Sequence, residues 1–368
     1  MGFYNEYLQL KELPFENIFQ DVSEIDVRRV LQKQRLTEED LLVLLSPAAE
    51  GLLEEIAQKA HQLTIQHFGK TMLLFNPIYI ADHCVNHCTY CSFSVTNQFE
   101  RKKLSMDEID KEAELLASQG LKHILLLTGE SRVHTPVSYI ADAVKVLKKH
   151  FSSVAIEINP LDTDEYKELV EAGLDGLTVY QEVYNEAKYK EVHVKGPKRD
   201  YLYRLDTPER GCEAGIRQVN IGALLGLEDW RKEAFFTAMH AKYLQKKYLD
   251  AEISLSLPRI RPHLGDFQPT SIVEDRHLVQ AITAFRLFLP RSGITLSTRE
   301  SAQLRNHLIY LGVTKMSAGA STEVGGYSQC DSGTAQFEIS DERSLEEIQQ
   351  MLKSSGYQPV LKDWELIV

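Results

Sequence analysis

No apolar run in the 368-residue chain approaches the ~20 residues that a membrane-spanning helix requires, so no membrane association is expected. Basic residues are the minority charge. Against 53 acids stand 41 lysines and arginines, a net charge of -12, which argues against a nucleic-acid partner because phosphate backbones demand clustered cations. The opening residues, MGFYNEYLQLKELPFEN, lack a basic stretch followed by an apolar one, so no secretory signal is expected. Gly2 is followed by no serine or threonine where N-terminal acylation needs one. Cysteine is sparse and odd in number, at five, unlike a secreted disulfide framework. No internal repeat or low-complexity linker marks off a second independent domain. The expectation is a soluble, cytoplasmic chain in a reducing compartment.

What is present is an alternating grammar. Residues 1–70 read as a charged helical extension, with Thr37-Glu38-Glu39-Asp40 opening a helix that Gly69 closes. Within it, the apolar segment Leu8 to Phe19 is expected to dock on the main body or on a partner. TMLLFNPIYIAD then reads as a first strand. Ser105-Met106-Asp107-Glu108 is a capping box before a helix that ends at Gly120, and Ile124 to Leu127 form a continuous apolar run suited to a strand covered on both faces. The same alternation recurs through strands near 154–158, 177–180, 216–226, 251–258, 294–300 and 313–319. Thr207, ahead of Pro208, is expected to cap one of the intervening helices. Eight strands alternating with helices across residues 71–324 predict an α/β fold, a (β/α)8 TIM-type barrel or a partly open relative of it. Residues 325–368, with one short helix, are expected to form a tail covering one barrel mouth.

Three of the five cysteines fall in one stretch, HCVNHCTYCSF, directly after the first strand. Barrel active sites form at that mouth. Cys84, Cys88 and Cys91 are spaced C-x3-C-x2-C, and thiolates select zinc or iron–sulfur clusters. Structural zinc needs a fourth ligand, which His83 or His87 could supply. A 4Fe–4S cube held by three cysteines instead leaves one iron open, able to chelate a small molecule through an amine and a carboxylate.

The cysteine spacing, with Tyr90 before the last cysteine and Phe93 two residues beyond it, resembles the radical S-adenosylmethionine enzymes. That resemblance implies one 4Fe–4S cluster with three cysteine ligands and an open iron for S-adenosylmethionine. It further implies cofactor contacts from Gly129 and Glu130 in Thr128-Gly129-Glu130, similar to the family's GGE segment except for its threonine, and from Gln181 and Glu182. Arg204 matches the place of a cofactor-carboxylate contact, and the stretch holding Gly222 and Leu224 resembles the backbone that reads adenine.

Segments including YQEVYNEAKY, YRLDTPERGCEAGI, SLPRIRP, LSTRES, GGYS and LKDWE narrow the resemblance to the 2-iminoacetate synthase family, the tyrosine lyases of thiamine-thiazole biosynthesis, over roughly residues 30–368. The reaction so implied is cleavage of the Cα–Cβ bond of L-tyrosine to 2-iminoacetate and p-cresol, with methionine and 5′-deoxyadenosine formed from S-adenosylmethionine. Arg299, with Ser317 assisting and Arg259 and Arg261 nearby, is the expected clamp for the tyrosine carboxylate, although arginines at a barrel rim also serve as structural ion pairs. No residue is assigned as a protein radical or base. A flavodoxin- or ferredoxin-type electron donor and the thiazole synthase subunit are the implied partners. The alternatives are a hydrogenase-maturation tyrosine lyase, a tryptophan-lyase relative or a non-catalytic iron–sulfur protein. The first would need further cysteines, whereas only Cys330 lies in the tail and Cys212 reads as a buried helix residue.

Overall fold

A computed structural model describes residues 2–328 and 333–362. Cys330 lies outside them. Eight parallel strands close a barrel: β1 (Thr71–Ala81), β2 (His123–Thr128), β3 (Ser153–Glu157), β4 (Gly176–Glu182), β5 (Gln218–Ala223), β6 (Glu252–Ser256), β7 (Gly293–Leu296) and β8 (Lys315–Ser317). Closure is direct, through β8 pairing with β1 at Leu73↔Lys315, Leu74↔Met316 and Phe75↔Ser317, so the barrel is not open. β2 is buried along its whole length, as its unbroken apolar run requires: one face meets the helices and the other the barrel interior. The capping box forms as read, with the Ser105 hydroxyl accepting from the Glu108 amide and the Glu108 carboxylate accepting from the Ser105 amide at 2.7 Å.

Two helix readings need correction. The helix opened by Thr37 is broken, running Glu38–Leu45, then a 3-10 turn Pro47–Leu52, then Leu53–Phe68. Pro47 forces Ser46 out of the helical region, and the buried amide of Gln280 donates to the freed carbonyls of Leu44 and Ser46 at 2.8 and 2.9 Å. Thr207 is not a cap: the helix Thr207–Glu213 begins at it, and its hydroxyl donates back to the Tyr203 carbonyl at 3.0 Å.

The N-terminal helices dock on the barrel. Phe3 stacks flat on His240 at 4.2 Å, Tyr7 meets Phe236 at 5.1 Å and Phe15 meets Phe235 at 5.4 Å, all against the helix Trp230–Lys247. At the other end of the chain, the tail crosses the mouth formed by the carboxyl ends of the strands. Gln336 donates to Thr322, Glu338 to Pro262 and Ser340 to Thr298, backbone to backbone, joining the loops after β8, β6 and β7. Asp341, fully buried, then anchors the tail by accepting from Arg305 and, at 2.6 Å, from Arg343. A last strand, β9 (Gln358–Val360), adds in parallel beside the start of β1. Among the described residues no helix is long and apolar enough to cross a membrane.

Candidate active site

The barrel interior opens into one cavity at the carboxyl ends of the strands, and Cys84, Cys88 and Cys91 all line it. They are free thiols on one loop. Burial raises all three above the ordinary thiol range, Cys91 to about 11 and Cys88 furthest, so loading a metal must release protons. The loop is held by its neighbours. A short strand His87–Cys88 pairs antiparallel with His193–Lys195, and the Arg101 guanidinium donates to the carbonyls of Asp82, Phe93 and Ser94 at 2.7–2.8 Å. Tyr90 sits on His193. That imidazole faces the Tyr189 carbonyl through Nδ1, so Nδ1 carries the hydrogen and Nε2 accepts from the Tyr90 hydroxyl at 2.7 Å. Phe93 is buried and forms part of the same wall.

Beside the thiols lies a four-charge network. Arg204 donates to Glu130 at 2.9 Å, to Glu182 at 3.4 Å and to the Tyr180 carbonyl at 2.7 Å. Lys198 bridges the same two carboxylates, at 2.7 Å to Glu182 and 3.6 Å to Glu130. Burial works against the charge on Glu130, but Lys198 and Arg204 outweigh it and hold Glu130 below the usual carboxylate range. Glu182 carries a φ of 70°, the one positive value among the described residues other than glycine. A left-handed glutamate costs roughly 1–3 kcal/mol and persists where surroundings over-determine it, which here means a register shift in β4 and two cations on its carboxylate.

Backbone also approaches closely. A side chain added at Gly129 would sit 2.4 Å from the His83 carbonyl and 2.8 Å from that of Asp82. Gly129→Ala is therefore expected to push the cysteine loop off β2, destabilising the chain by about 1–3 kcal/mol and lowering iron incorporation. Chemical denaturation and iron analysis check this; unchanged values would mean the approach is not needed.

The expected residues fall on both sides of the wall. Tyr90, Phe93, Gly129, Glu130, Glu182, Arg204, Leu224, Arg261, Arg299 and Ser317 line the cavity. Gln181 does not, because alternation along β4 turns Thr178, Tyr180 and Glu182 inward, leaving its amide buried behind the wall without a partner among the described residues. Arg259 also lies outside the lining. It is taken up by Glu300 through Nε at 3.0–3.1 Å and by Asp275 at 2.8 Å, the structural ion pairing that arginines at a barrel rim also serve. Gly222 is pressed against β6, where an added Cβ would lie 1.9 Å from the Ser256 carbonyl; the Leu224 amide is already donated to Glu182 at 2.8 Å. Arg299 lies 3.5 Å over the Phe337 ring of the tail.

The donor set fits an iron–sulfur cluster and S-adenosylmethionine. Three thiols share one wall without converging on a point, since among the described residues no three His, Cys, Asp or Glu side chains gather closely enough for a single ion. The His83 ring is stacked 4.1 Å from His134 and bonded to the Lys102 carbonyl at 3.2 Å. Thr128, Ser317 and Arg261 line the cavity, and their Oγ1, Oγ and Nε atoms are buried with no partner among the described residues, as groups awaiting a polar ligand are.

Residues 78–238 match the model of the radical SAM superfamily, and residues 256–358 match the biotin and thiamin synthesis associated domain. The chain is 43% identical over 341 residues to 2-iminoacetate synthase of Escherichia coli K12, covering 92% of this chain and 90% of that protein. It belongs to the 2-iminoacetate synthase family. The crystal structure of HydG, a maturase of the FeFe-hydrogenase, superposes with a TM-score of 0.89 at 33% identity, over 94% of this chain and 78% of that one. Methylornithine synthase shares the fold, with a TM-score of 0.74 at 20% identity.

Within this member of the 2-iminoacetate synthase family, three wall residues escape the sequence reading. Asn86 donates to Glu130 at 2.8 Å and accepts from the Lys198 amide at 2.9 Å, tying the cysteine loop to the charge network. Lys198 lies in a segment without periodicity, which gives no signal. Glu157, at the end of β3, faces the cavity with its titration raised to about 7 by burial and then by Glu182, against relief from Arg299, Lys198 and Arg204. A raised carboxyl adds stability below its unfolded pKa that is lost as pH rises through the folded one. Glu157→Gln is thus expected to lessen the fall in unfolding free energy between ~pH 5 and ~pH 8.5, measured on the metal-free chain in urea. Glu233, raised to about 8 by burial, keeps part of the slope. An unaltered slope would contradict the assignment.

Proposed function

We propose that this cavity cleaves L-tyrosine between Cα and Cβ to 2-iminoacetate and p-cresol, with Cys84, Cys88 and Cys91 holding a 4Fe–4S cluster whose fourth iron takes S-adenosylmethionine. The observation that carries the reading is the meeting of three free thiols and the Glu130–Arg204–Lys198–Glu182 network in one cavity of a 2-iminoacetate synthase family member. When bound, the cluster supplies the electron that splits S-adenosylmethionine, yielding the hydrogen-abstracting adenosyl group. The chain's own residues bind, orient and shield. Arg204 spends three of its five N–H groups on Tyr180, Glu130 and Glu182 and so keeps two for a carboxylate. Glu130 and Glu182 offer acceptors for an amine and for ribose hydroxyls. Tyr90, Phe93 and Tyr79 close the wall against water, and the tail's Gln336 accepts from the Tyr79 hydroxyl at 2.7 Å.

For tyrosine, Arg299 stacked on Phe337 presents its edge to the carboxylate, with Ser317 and Arg261 beside it. Hydrogen abstraction from nitrogen needs the neutral amine, and Glu157, titrating near neutrality, is suited to take the ammonium proton. Arg299→Ala is expected to raise the apparent Kd for tyrosine by about tenfold or more and to uncouple 5′-deoxyadenosine from p-cresol. An unchanged affinity removes it from the site. Free thiols favour a reducing, cytoplasmic location. The electron comes from a flavodoxin- or ferredoxin-type donor. Because the imine product hydrolyses in water, handover to the thiazole synthase subunit follows. The hydrogenase-maturation reading shares the first step, but identity is higher to 2-iminoacetate synthase, 43% against 33%. Anaerobic turnover with L-tyrosine tests the whole: p-cresol is expected, and indolic products or none would defeat it.

A further inference from the structure

Among the described residues twelve large apolar side chains are exposed, and four of them lie on or beside the cysteine loop. Val85 is 41% exposed, Val95 50%, Val194 39% and Leu264 45%. Each belongs to a segment tied to that loop. The Val95 amide donates to Asn86 at 2.9 Å, and the Leu264 amide donates to the Ser92 hydroxyl at 2.9 Å. Val194 sits in the strand paired with His87–Cys88. The next turn crosses Val85 so closely that a Cβ at Gly196, whose φ is +103°, would meet the Asn86 amide oxygen at 2.4 Å and the Val85 carbonyl at 2.9 Å. Positive charge marks one edge of this face. On a chain of net charge -12, the exposed Lys190, Lys195 and Arg199 carry no ion pair among the described residues, whereas Glu191 is held by Lys188 at 2.9 Å and Asp200 caps the helix Tyr201–Leu205. Behind the patch the path to sulfur is short: the Asn86 amide donates to Cys84 Sγ at 3.4 Å.

We propose that the outer face of the cysteine loop is the docking surface of an acidic one-electron donor protein, seated on Val85, Val95, Val194 and Leu264 and steered by Lys190, Lys195 and Arg199. It rests on the proposed function, which requires electrons from outside, and adds the place where they enter. Electron transfer weakens steeply with distance, so the donor must come down over the thiols; the barrel closes them off on the opposite side. A small apolar patch with a charged rim suits a transient encounter, in which opposite charges raise the association rate more than the lifetime.

The test uses the reconstituted enzyme with two reductants, dithionite and a reduced acidic flavodoxin, and a calorimetric Kd for that flavodoxin. Lys195→Glu/Arg199→Glu and, separately, Val194→Asp are expected to keep dithionite-driven turnover. Flavodoxin-driven turnover should need about tenfold more flavodoxin, with a matching rise in Kd. The charge variant should also lose the fall in rate that added salt causes in the wild type. If the hairpin variants lower the dithionite rate as well, Lys190→Glu and Val95→Asp, outside the strand pairing, decide by the same split. Unchanged flavodoxin affinity overturns the surface, as does a defect that appears only in delivery of product to a second enzyme. Absence of dithionite-driven turnover in the wild type would instead overturn the function itself.

Discussion

Alanine at Cys84, Cys88 or Cys91 is expected to abolish 5′-deoxyadenosine release and to take iron content far below four per chain. Each thiol is one of three facing the cavity from a single loop, and the described surroundings give the loop no substitute. His83 is committed to Lys102 and His134, and His87 belongs to the short strand paired with residues 193–195. A cube with two protein ligands keeps too few bonds to survive reduction. The loss should leave folding intact, because the hydrogen bonds the sulfurs accept are weak ones, at Cys84 from the Asn86 and Glu130 amides and at Cys91 from the Phe93 amide. Far-ultraviolet circular dichroism should match the wild type while the iron–sulfur absorbance disappears. A variant that retains four irons would place the cluster elsewhere. Cys330→Ser offers the control, expected to keep all four.

Arg204→Ala carries the second large effect, on stability as well as cofactor binding. The change leaves Glu130 and Glu182, whose side chains are 15% and 10% exposed, with Lys198 as their shared cation. It also strips the Tyr180 carbonyl of its donor at the point where β4 is strained into the φ of 70° at Glu182. Breaking a buried pair from one side typically costs about 3–5 kcal/mol, against about 0–1 kcal/mol for an exposed one. Arg204→Lys should recover the charge but not the three-way fork, and so only part of the loss. Equilibrium unfolding of the metal-free chain measures this directly. A cost within about 1 kcal/mol would mean that the network is solvated in solution.

The cysteine loop and the barrel were legible because both are written locally. C-x3-C-x2-C lies within eight residues, and the strands announce themselves by apolar runs between capped helices. Glu130, Glu182 and Arg204 were placed near the strand ends, yet their union into one network could not be read, because its fourth member comes from residues 186–199. That stretch, a short helix Glu186–Val192 and the strand His193–Lys195, has no periodicity long enough to signal. Pairing with the cysteine loop, rather than propensity, gives it shape. Gln181 stands behind the wall by the parity of one strand, since a residue between two inward-facing ones points outward. Arg259 and Arg299 look alike in sequence, two arginines after neighbouring strands. Only folding separates them, bringing Glu300 and Asp275 to the first and the Phe337 ring to the second. Asp341 and Arg305 are equally silent in sequence, although their buried pair fixes the tail across the mouth.

The central claim is that the three thiols hold a cube with one iron left for a small molecule. Electron paramagnetic resonance of the reduced, anaerobically reconstituted protein, recorded before and after S-adenosylmethionine is added, tests it most directly. The account predicts a 4Fe–4S signal whose g values shift on addition and which shifts with no loss of iron. A signal indifferent to S-adenosylmethionine, or a protein that takes up zinc and shows no such signal, would contradict it.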